Sequence, residues 1–394
     1  MAARDPLADL RQIAFLLERA NEASYRVRAF RTAAAALANL TPAEVSTRAA
    51  AGTLTDLGGV GDVTARCVAE SLSGEEPVYL RRLLATEGSD VDQVAMALRQ
   101  ALRGDCHAHS DWSDGGSPIE EMVTTAIALG HEYLVLTDHS PRLTVARGLS
   151  AERLREQLDV VAALNATLTA NEVAFRLLTG IEVDILADGS LDQEESLLAR
   201  LDVVVGSVHS GLRDDSGTMT QRMVAAVANQ HLDILGHCTG RKLVPASAGG
   251  AGNGGTAGGA GKGGTAGGAG KGGTASGAGK GGTASSGGDR AHRGGRGRPE
   301  SQFDAATVFA ACRQHDKAVE INCRPDRLDP PKRLLRLAVE AGCRFSIDTD
   351  AHAPGQLDWL DNGCDRAALC GVDPATVVNT WTVDDLLSWA GSHA

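Results

Sequence analysis

Residues 133–139 have the sequence YLVLTDH, in which a run of apolar and β-branched residues is followed at once by Asp138 and His139. A short run of this kind is typical of a buried strand in a parallel sheet. In parallel α/β folds, functional side chains gather where the strands end. The position of His139 therefore indicates that the chemistry lies at the carboxyl edge of a sheet.

Similar short runs recur along the chain beyond Gly104. They are Val203–Val208, Ile234–Gly236, Ala318–Asn322 and Arg344–Asp348. Helical stretches of ten or more residues alternate with them, so the chain is predicted to be an α/β protein built from βα units with largely parallel strands. A barrel and a doubly wound sheet both fit this alternation.

Potential metal ligands follow these strands. His107 and His109 are two residues apart, so in a strand they point to the same side and can hold one metal ion, although such pairs are also common on surfaces without metal. The further candidates at strand ends are His139, Glu182, His209, His237, Asp350 and His352. A buried histidine cluster without metal would leave ring nitrogens unsatisfied, whereas imidazoles mixed with carboxylates suit Zn, Mn or Fe. The repetition favours a metal site.

The first 75 residues have a different character. Two helical stretches, about residues 6–20 and 24–40, precede residues 54–65, where a Gly-Gly-Val-Gly turn joins two short helical segments in the form of a helix-hairpin-helix. In that motif, backbone N–H groups of the turn contact a DNA phosphate, so binding does not depend on base sequence. The predicted DNA-binding residues are Gly59, Val60, Gly61, Arg26 and Arg28. The alternative is an ordinary glycine turn between packed helices.

Composition limits the classes of function. The formal net charge of -12 argues against a protein that coats nucleic acid non-specifically, because that requires concentrated Lys and Arg. The eight cysteines form no CxxC pair, and there is no export signal or apolar run of membrane length. Free thiols, a cytoplasmic location and no membrane partner are therefore expected.

Residues 246–298 consist mainly of Gly, Ala, Thr, Ser and Lys, with no apolar side chains large enough to form a core. Such a segment cannot offset the entropy cost of ordering, so we predict a disordered insertion. The expected organisation is a helix-hairpin-helix domain at 1–75, a helical connector at 76–103 and an α/β domain at 104–394 that the insertion interrupts.

Seven motifs, in order, resemble the polymerase-and-histidinol-phosphatase (PHP) family, most closely the PHP domain at the C-terminus of bacterial family X DNA polymerases. They are DCHAHSDWSDG, YLVLTDHS, GIEVDILADGSLD, VVVGSVHS, DILGHCTGR, EINCRPDRLD and SIDTDAH. The N-terminal stretch is similar to the first domain of those polymerases through the sequences YRVRAFR and GGVG. The resemblance implies a distorted (β/α)7 barrel of the TIM-like kind behind a small all-α domain.

The same resemblance implies two or three divalent metal ions and a set of nine ligands. His107, His109, Glu182 and Asp350 would bind one ion. Glu182 would bridge to a second ion held by His209 and His237, and Asp114, His139 and His352 would bind the third. All nine positions hold residues able to coordinate a metal, which distinguishes this chain from PHP domains that have lost ligands and serve as scaffolds.

Two departures from the family X pattern restrict the activity. Cys67 stands where lyase-active members place a lysine, so Schiff-base lyase chemistry is not expected. About thirty residues separate the hairpin from the barrel, whereas a polymerase palm and thumb need on the order of a whole domain. Polymerase activity is therefore not expected either.

The predicted function is metal-dependent hydrolysis of phosphodiester bonds at DNA ends, as a 3′-5′ exonuclease or a 3′-end-processing enzyme. One alternative is a small-molecule phosphomonoesterase of the histidinol-phosphatase type. Another is a non-catalytic, metal-stabilised DNA-binding scaffold. Arg241 and Arg327, with Arg324 as a weaker candidate, are predicted to clamp phosphate oxygens in catalysis, and the alternative for each is a surface arginine paired with an acid.

Overall fold

The computed structural model describes residues 4–85, 92–243 and 297–393. The insertion predicted for 246–298 lies outside these residues except for Gly297 and Arg298. Lys242 and Arg298 are paired by two backbone hydrogen bonds of 2.9 and 2.8 Å. The chain therefore leaves the described part and returns to it at adjacent positions.

In the described residues, six α-helices precede the first strand. They are α1 (Pro6–Arg19), α2 (Ser24–Ala38), α3 (Pro42–Ala51), α4 (Asp62–Leu72), α5 (Val78–Leu84) and α6 (Gln93–Ala101). The apolar face of α1 buries Leu10, Ile13 and Leu17 almost completely, in one core with residues of α2 and α4. Because apolar residues three and four apart lie on one helix face, this burial follows from the spacing in the sequence.

The part of the chain that the structure describes then forms seven parallel strands, whose order in the sheet is their order in the sequence. They are β1 (Gly104–Ala108), β2 (Tyr133–Leu136), β3 (Arg176–Asp184), β4 (Val203–Ser207), β5 (Ile234–Leu235), β6 (Ala318–Asn322) and β7 (Arg344–Asp348). The accompanying helices are α7 (Ile119–Ala128), α8 (Ala151–Ala170), α9 (Glu195–Leu198), α10 (Ser216–Val227), α11 (Ala305–Gln314), α12 (Lys332–Glu340), α13 (Leu360–Cys370) and α14 (Val383–Gly391). The predicted α/β barrel fold is confirmed.

Strand β3 changes partners along its length. Its residues Arg176–Thr179 pair with β2, and Gly180–Asp184 pair with β4. A Cβ atom on Gly180 would lie 2.6 Å from Val135 Cγ1 and 2.7 Å from the carbonyl oxygen of Val203. Glycine is therefore needed where the neighbouring strands approach β3 most closely.

Side chains complete the closure of the barrel between β1 and β7. In the described residues, the backbone bridge on this side is between Ala108 and Ala351. Elsewhere, carboxylates accept the strand N–H groups: Asp348 accepts from Cys106 at 2.9 Å, and Asp105 accepts from Thr349 at 3.3 Å. These side-chain contacts join β1 to the end of β7.

The helical domain packs on the barrel through the 3-10 segment Pro354–Trp359, which α1 contacts directly. The indole N–H of Trp359 donates to the carbonyl oxygen of Arg19 at 2.7 Å. Residues before Val244 and after Gly297 form one compact unit. None of the helices in the described part of the chain combines the length and the hydropathy of a membrane span.

Candidate metal centre

The nine predicted ligands all lie at the carboxyl end of the barrel. His107 and Glu182 belong to β1 and β3, and the others lie in the segments that follow the strands.

 Six of the nine side chains are buried, namely His107, His109, His139, Glu182, His237 and Asp350. His209 and His352 are partly buried, and Asp114 is exposed. The nine groups therefore form a site that opens to solvent on the side of Asp114.

Glu182 lies at the centre of the site. Its carboxylate oxygens approach ring nitrogens of five histidines: His139 at 2.7 Å, His237 at 2.8 Å, His209 at 3.4 Å, His107 at 3.5 Å and His109 at 3.7 Å. One carboxylate among so many imidazoles is the arrangement expected of a bridging ligand. The prediction that Glu182 bridges two ions remains a proposal, and this geometry supports it.

The side chains fall into three overlapping groups whose ligand atoms lie within 4.8 Å of one another. The groups are His107, His109 and Asp350; His139, Glu182 and His209; and His109, Asp114, His139 and His352. The last group contains the predicted third set together with His109. His139 and His109 each belong to two groups, and the predicted division into three ligand sets remains a proposal.

The unsatisfied polar atoms of this cluster fit divalent ions. In the described part of the chain, both ring nitrogens of His109, His209 and His237 are buried without a hydrogen-bond partner, as are both oxygens of Glu182. Leaving each such atom unpaired costs about 1–3 kcal/mol. Cations would satisfy these atoms together, and mixed nitrogen and oxygen ligands suit Zn, Mn or Fe.

The protonation states also favour cation binding. Burial raises the pKa of Glu182, but His139 and His209 outweigh it, so that the pKa lies well below its usual value. Burial and the nearby Arg327 lower the pKa of His237 to about 3. The carboxylate is therefore ionised and the imidazole neutral near neutral pH, as metal ligands must be.

Three buried carboxylates behind the ligands were not predicted from the sequence. Glu320 Oε1 lies 2.6 Å from His107 Nδ1, Asp184 accepts the backbone N–H of His209 at 3.1 Å, and Asp138 accepts the N–H of Ser110 at 2.8 Å. Burial raises the pKa of Glu320 to about 7, although His107 lowers it. The signal that could have found Glu320 is a charged residue inside the apolar strand Ala318–Asn322.

The three predicted arginines have different surroundings. Arg327 Nε lies 3.2 Å from Asp350 Oδ2, and its Nε and Nη1 atoms are buried without a hydrogen-bond partner among the described residues. Arg324 Nη1 donates to the carbonyl oxygen of Asp350 at 3.0 Å. Arg241 instead donates to the carbonyl oxygens of Arg327, at 2.8 Å, and Leu328. Arg327 thus has free donors at the site, and Arg241 holds the loop that carries it.

The predicted hairpin lies between the 3-10 turn Leu54–Asp56 and α4. Gly59 has a φ of +89°, and a Cβ atom there would lie 2.3 Å from Thr32 Cγ2 of α2. The N–H groups of Val60 and Gly61 donate to Leu57 and to Thr64. The N–H of Gly59 has no acceptor among the described residues.

The basic residues near this hairpin differ in their pairing. Arg28 precedes Thr32 by one helical turn, so both lie on the α2 face that meets the hairpin. Arg28 is exposed and has no ion-pair partner in the described residues, whereas Arg26 pairs with Glu22 at 3.1 Å. Cys67, in α4, is buried, and burial raises the pKa of its thiol to about 11.

Comparison with family profiles matches residues 105–249 to the PHP domain and residues 1–76 to a helix-hairpin-helix domain. Residues 105–249 are therefore a PHP domain. The sequence is 31% identical over 295 residues to the DNA polymerase/3′-5′ exonuclease PolX of Bacillus subtilis, an alignment that covers 75% of this chain and 42% of that protein.

Other proteins match over shorter lengths. A probable phosphatase of Thermoanaerobacter sp. (strain X514) is 30% identical over 142 residues, which are 34% of this chain and 52% of that protein. The chain thus spans about half the length, or less, of the relatives it matches. The solved structure of a histidinol phosphate phosphatase from Lactococcus lactis covers 68% of this chain and 92% of its own, with 16% identity and a TM-score of 0.39, too low to support an argument about function.

Proposed function

We propose that this PHP protein is a metal-dependent phosphoesterase that hydrolyses phosphodiester bonds at DNA ends, as a 3′-5′ exonuclease or a 3′-end-processing enzyme. The observation that carries the proposal is the cluster of buried, unpartnered ligand atoms around Glu182 in a barrel that packs directly against a helix-hairpin-helix domain. The first feature supports hydrolysis, and the second supports DNA as the substrate.

The nine predicted ligands would hold two or three divalent ions. When bound, such ions lower the pKa of water and neutralise charge on a phosphate. The protein's own groups have complementary roles. Glu182 and Asp350 supply ionised oxygens, and the neutral imidazole of His237 supplies a nitrogen lone pair.

Arg327 is the best-placed group for binding the phosphate itself. Its buried Nη1 atom has no partner, and its Nε atom is next to Asp350 at the edge of the ligand cluster. A guanidinium with free N–H groups can bind two oxygens of a phosphate at once. We therefore assign Arg327 to the phosphate clamp and Arg241 to the support of its loop.

The helical domain would bind the DNA backbone next to this site. Residues 4–85 contain ten arginines and ten acidic residues, so net charge does not provide affinity for DNA. Binding would instead depend on local donors, namely the N–H of Gly59 and the guanidinium of Arg28. Such contacts are independent of base sequence.

A small phosphate ester is the second candidate substrate. Two observations favour it: the equal numbers of basic and acidic residues in the helical domain, and the match over 142 residues to a protein named a probable phosphatase. In this case the helical domain would serve to stabilise the barrel rather than to bind a substrate.

One experiment distinguishes these functions. Purified protein with Mn²⁺ is given 5′-labelled single- and double-stranded DNA, and separately histidinol phosphate and p-nitrophenyl phosphate. DNA shortened from the 3′ end supports the proposal, and phosphate release from the small esters alone supports the second candidate. His107→Ala should abolish either activity, and a metal-loaded protein inactive on every substrate would indicate the scaffold.

Arg28→Ala tests the contribution of the helical domain. It should weaken DNA binding and leave hydrolysis of p-nitrophenyl phosphate unchanged. Arg200→Ala is the matched control, because Arg200 is an exposed arginine that precedes β4, at the opposite end of the barrel. Equal DNA affinity in the two variants would exclude Arg28 from the interface.

A further inference from the structure

Glu320 lies in the middle of β6 and is fully buried. Its side chain points into the barrel beneath the ligand cluster. A carboxylate in such a place needs partners for both oxygens, since burying a charge without them is costly.

Each oxygen of Glu320 contacts a different part of the candidate centre. Oε1 lies 2.6 Å from Nδ1 of His107. Oε2 accepts the backbone N–H of His237 at 2.5 Å. The side-chain amide of Asn322 donates to Oε2 at 3.3 Å and to Oδ2 of Asp350 at 3.1 Å.

The contact with His107 determines which ring nitrogen is available. An imidazole that coordinates through one nitrogen carries its proton on the other, and that N–H needs an acceptor. With Nδ1–H donating to Glu320, the lone pair of Nε2 points to the cluster, where Nε2 is 3.5 Å from Glu182 and has no hydrogen-bond partner.

We propose that Glu320 is a positioning residue of the metal centre, which fixes the tautomer of His107 and the backbone of His237, and this inference rests on the proposed function. Among the described residues, no lysine or arginine contacts Glu320. The hydrogen-bond contacts of Glu320 are thus with His107, His237 and Asn322. A side chain that only filled space in the barrel would not need these contacts.

The test uses Glu320→Gln, which preserves size and removes the charge. A glutamine can accept from His107 through its oxygen, but its NH₂ group then faces the N–H of His237. Co²⁺ is titrated into the metal-free proteins and followed by its visible absorption. We expect the Co²⁺ dissociation constant to increase by about 10- to 100-fold and the spectrum to change.

Glu340→Gln, at the exposed end of α12, is the matched control and should bind Co²⁺ as the wild type does. Equal affinities and spectra for Glu320→Gln and the wild type would overturn the inference. If the wild type itself bound no Co²⁺, the proposed function would fail instead.

A second measurement does not depend on the variant folding. In ¹⁵N-histidine-labelled wild type with Zn²⁺, the His107 Nδ1 resonance should show a bonded proton and Nε2 should not. The opposite tautomer would exclude Glu320 as the group that orients His107.

Discussion

The carboxylate of Glu18, near the end of α1, accepts the backbone N–H of Gly355 at 2.8 Å. Glu18 is also held by Arg31 of α2, whose Nη2 lies 2.7 Å away. Gly355 follows Asp350 and His352 closely, and the N–H of His352 donates to Gln356 at 2.7 Å. The helical domain is therefore bonded to the segment that carries two candidate ligands.

Gly355→Ala should destabilise the protein, because the added Cβ would lie 2.2 Å from the carbonyl oxygen of Phe15 in α1. We expect a loss of about 1–3 kcal/mol in the free energy of unfolding, measured by urea denaturation. Gly391→Ala is the control, since a Cβ there meets nothing within 4 Å. Equal stability of the two variants would show that α1 does not pack as described.

Metal removal should lower the melting temperature. Ions that bind only the folded state stabilise it, by about 2.7 kcal/mol at a concentration 100 times the dissociation constant. Calorimetry with excess Zn²⁺ or Mn²⁺ and with chelator should show this difference for the wild type. Glu182→Gln, which replaces the central carboxylate, should lose most of it, and an equal shift in both proteins would contradict the central position of Glu182.

Arg327→Ala should reduce kcat/KM for the preferred phosphate ester by about 100- to 1000-fold, as the loss of a preorganised donor to a phosphate does. Arg327→Lys should restore only part of the rate, because an ammonium cannot bind two oxygens in the same plane. Steady-state kinetics on folded, metal-loaded variants measures the effect. Rates close to that of the wild type would remove Arg327 from the phosphate clamp.

His131 should make stability depend on pH. It is buried, neither ring nitrogen has a partner in the described residues, and burial with the nearby Arg99 lowers its pKa to about 4. The unfolded chain takes up a proton near pH 6.5 and the folded chain does not, so stability is lost as pH falls from about 6.5 towards 4.

His131→Leu should remove this loss, which amounts to about 3 kcal/mol over the window. Urea denaturation of both proteins at pH 7.5 and 4.5, in chelator, isolates the contribution because the other histidines are common to both. Parallel pH dependences for the two proteins would show that folding does not lower the pKa of His131.

The sequence predicted the strands and the ligand positions at their ends better than it predicted the contacts among them. Short apolar runs ending in His or Asp are local patterns, so β2 and His139 could be placed from them. The hydrogen bond between Glu18 and Gly355 joins residues 337 positions apart, and no local pattern indicates it. The contacts of Arg241 with the carbonyl oxygens of Arg327 and Leu328 also join residues far apart in the sequence, so no local pattern indicates them either.

The pairing of Lys242 with Arg298 has a practical consequence. Because this bridge brings Lys242 and Arg298 side by side, the two ends of the intervening sequence are attached at one place on the protein. A reporter domain whose own termini are adjacent could therefore be inserted between Lys242 and Arg298 without interrupting a strand of the barrel.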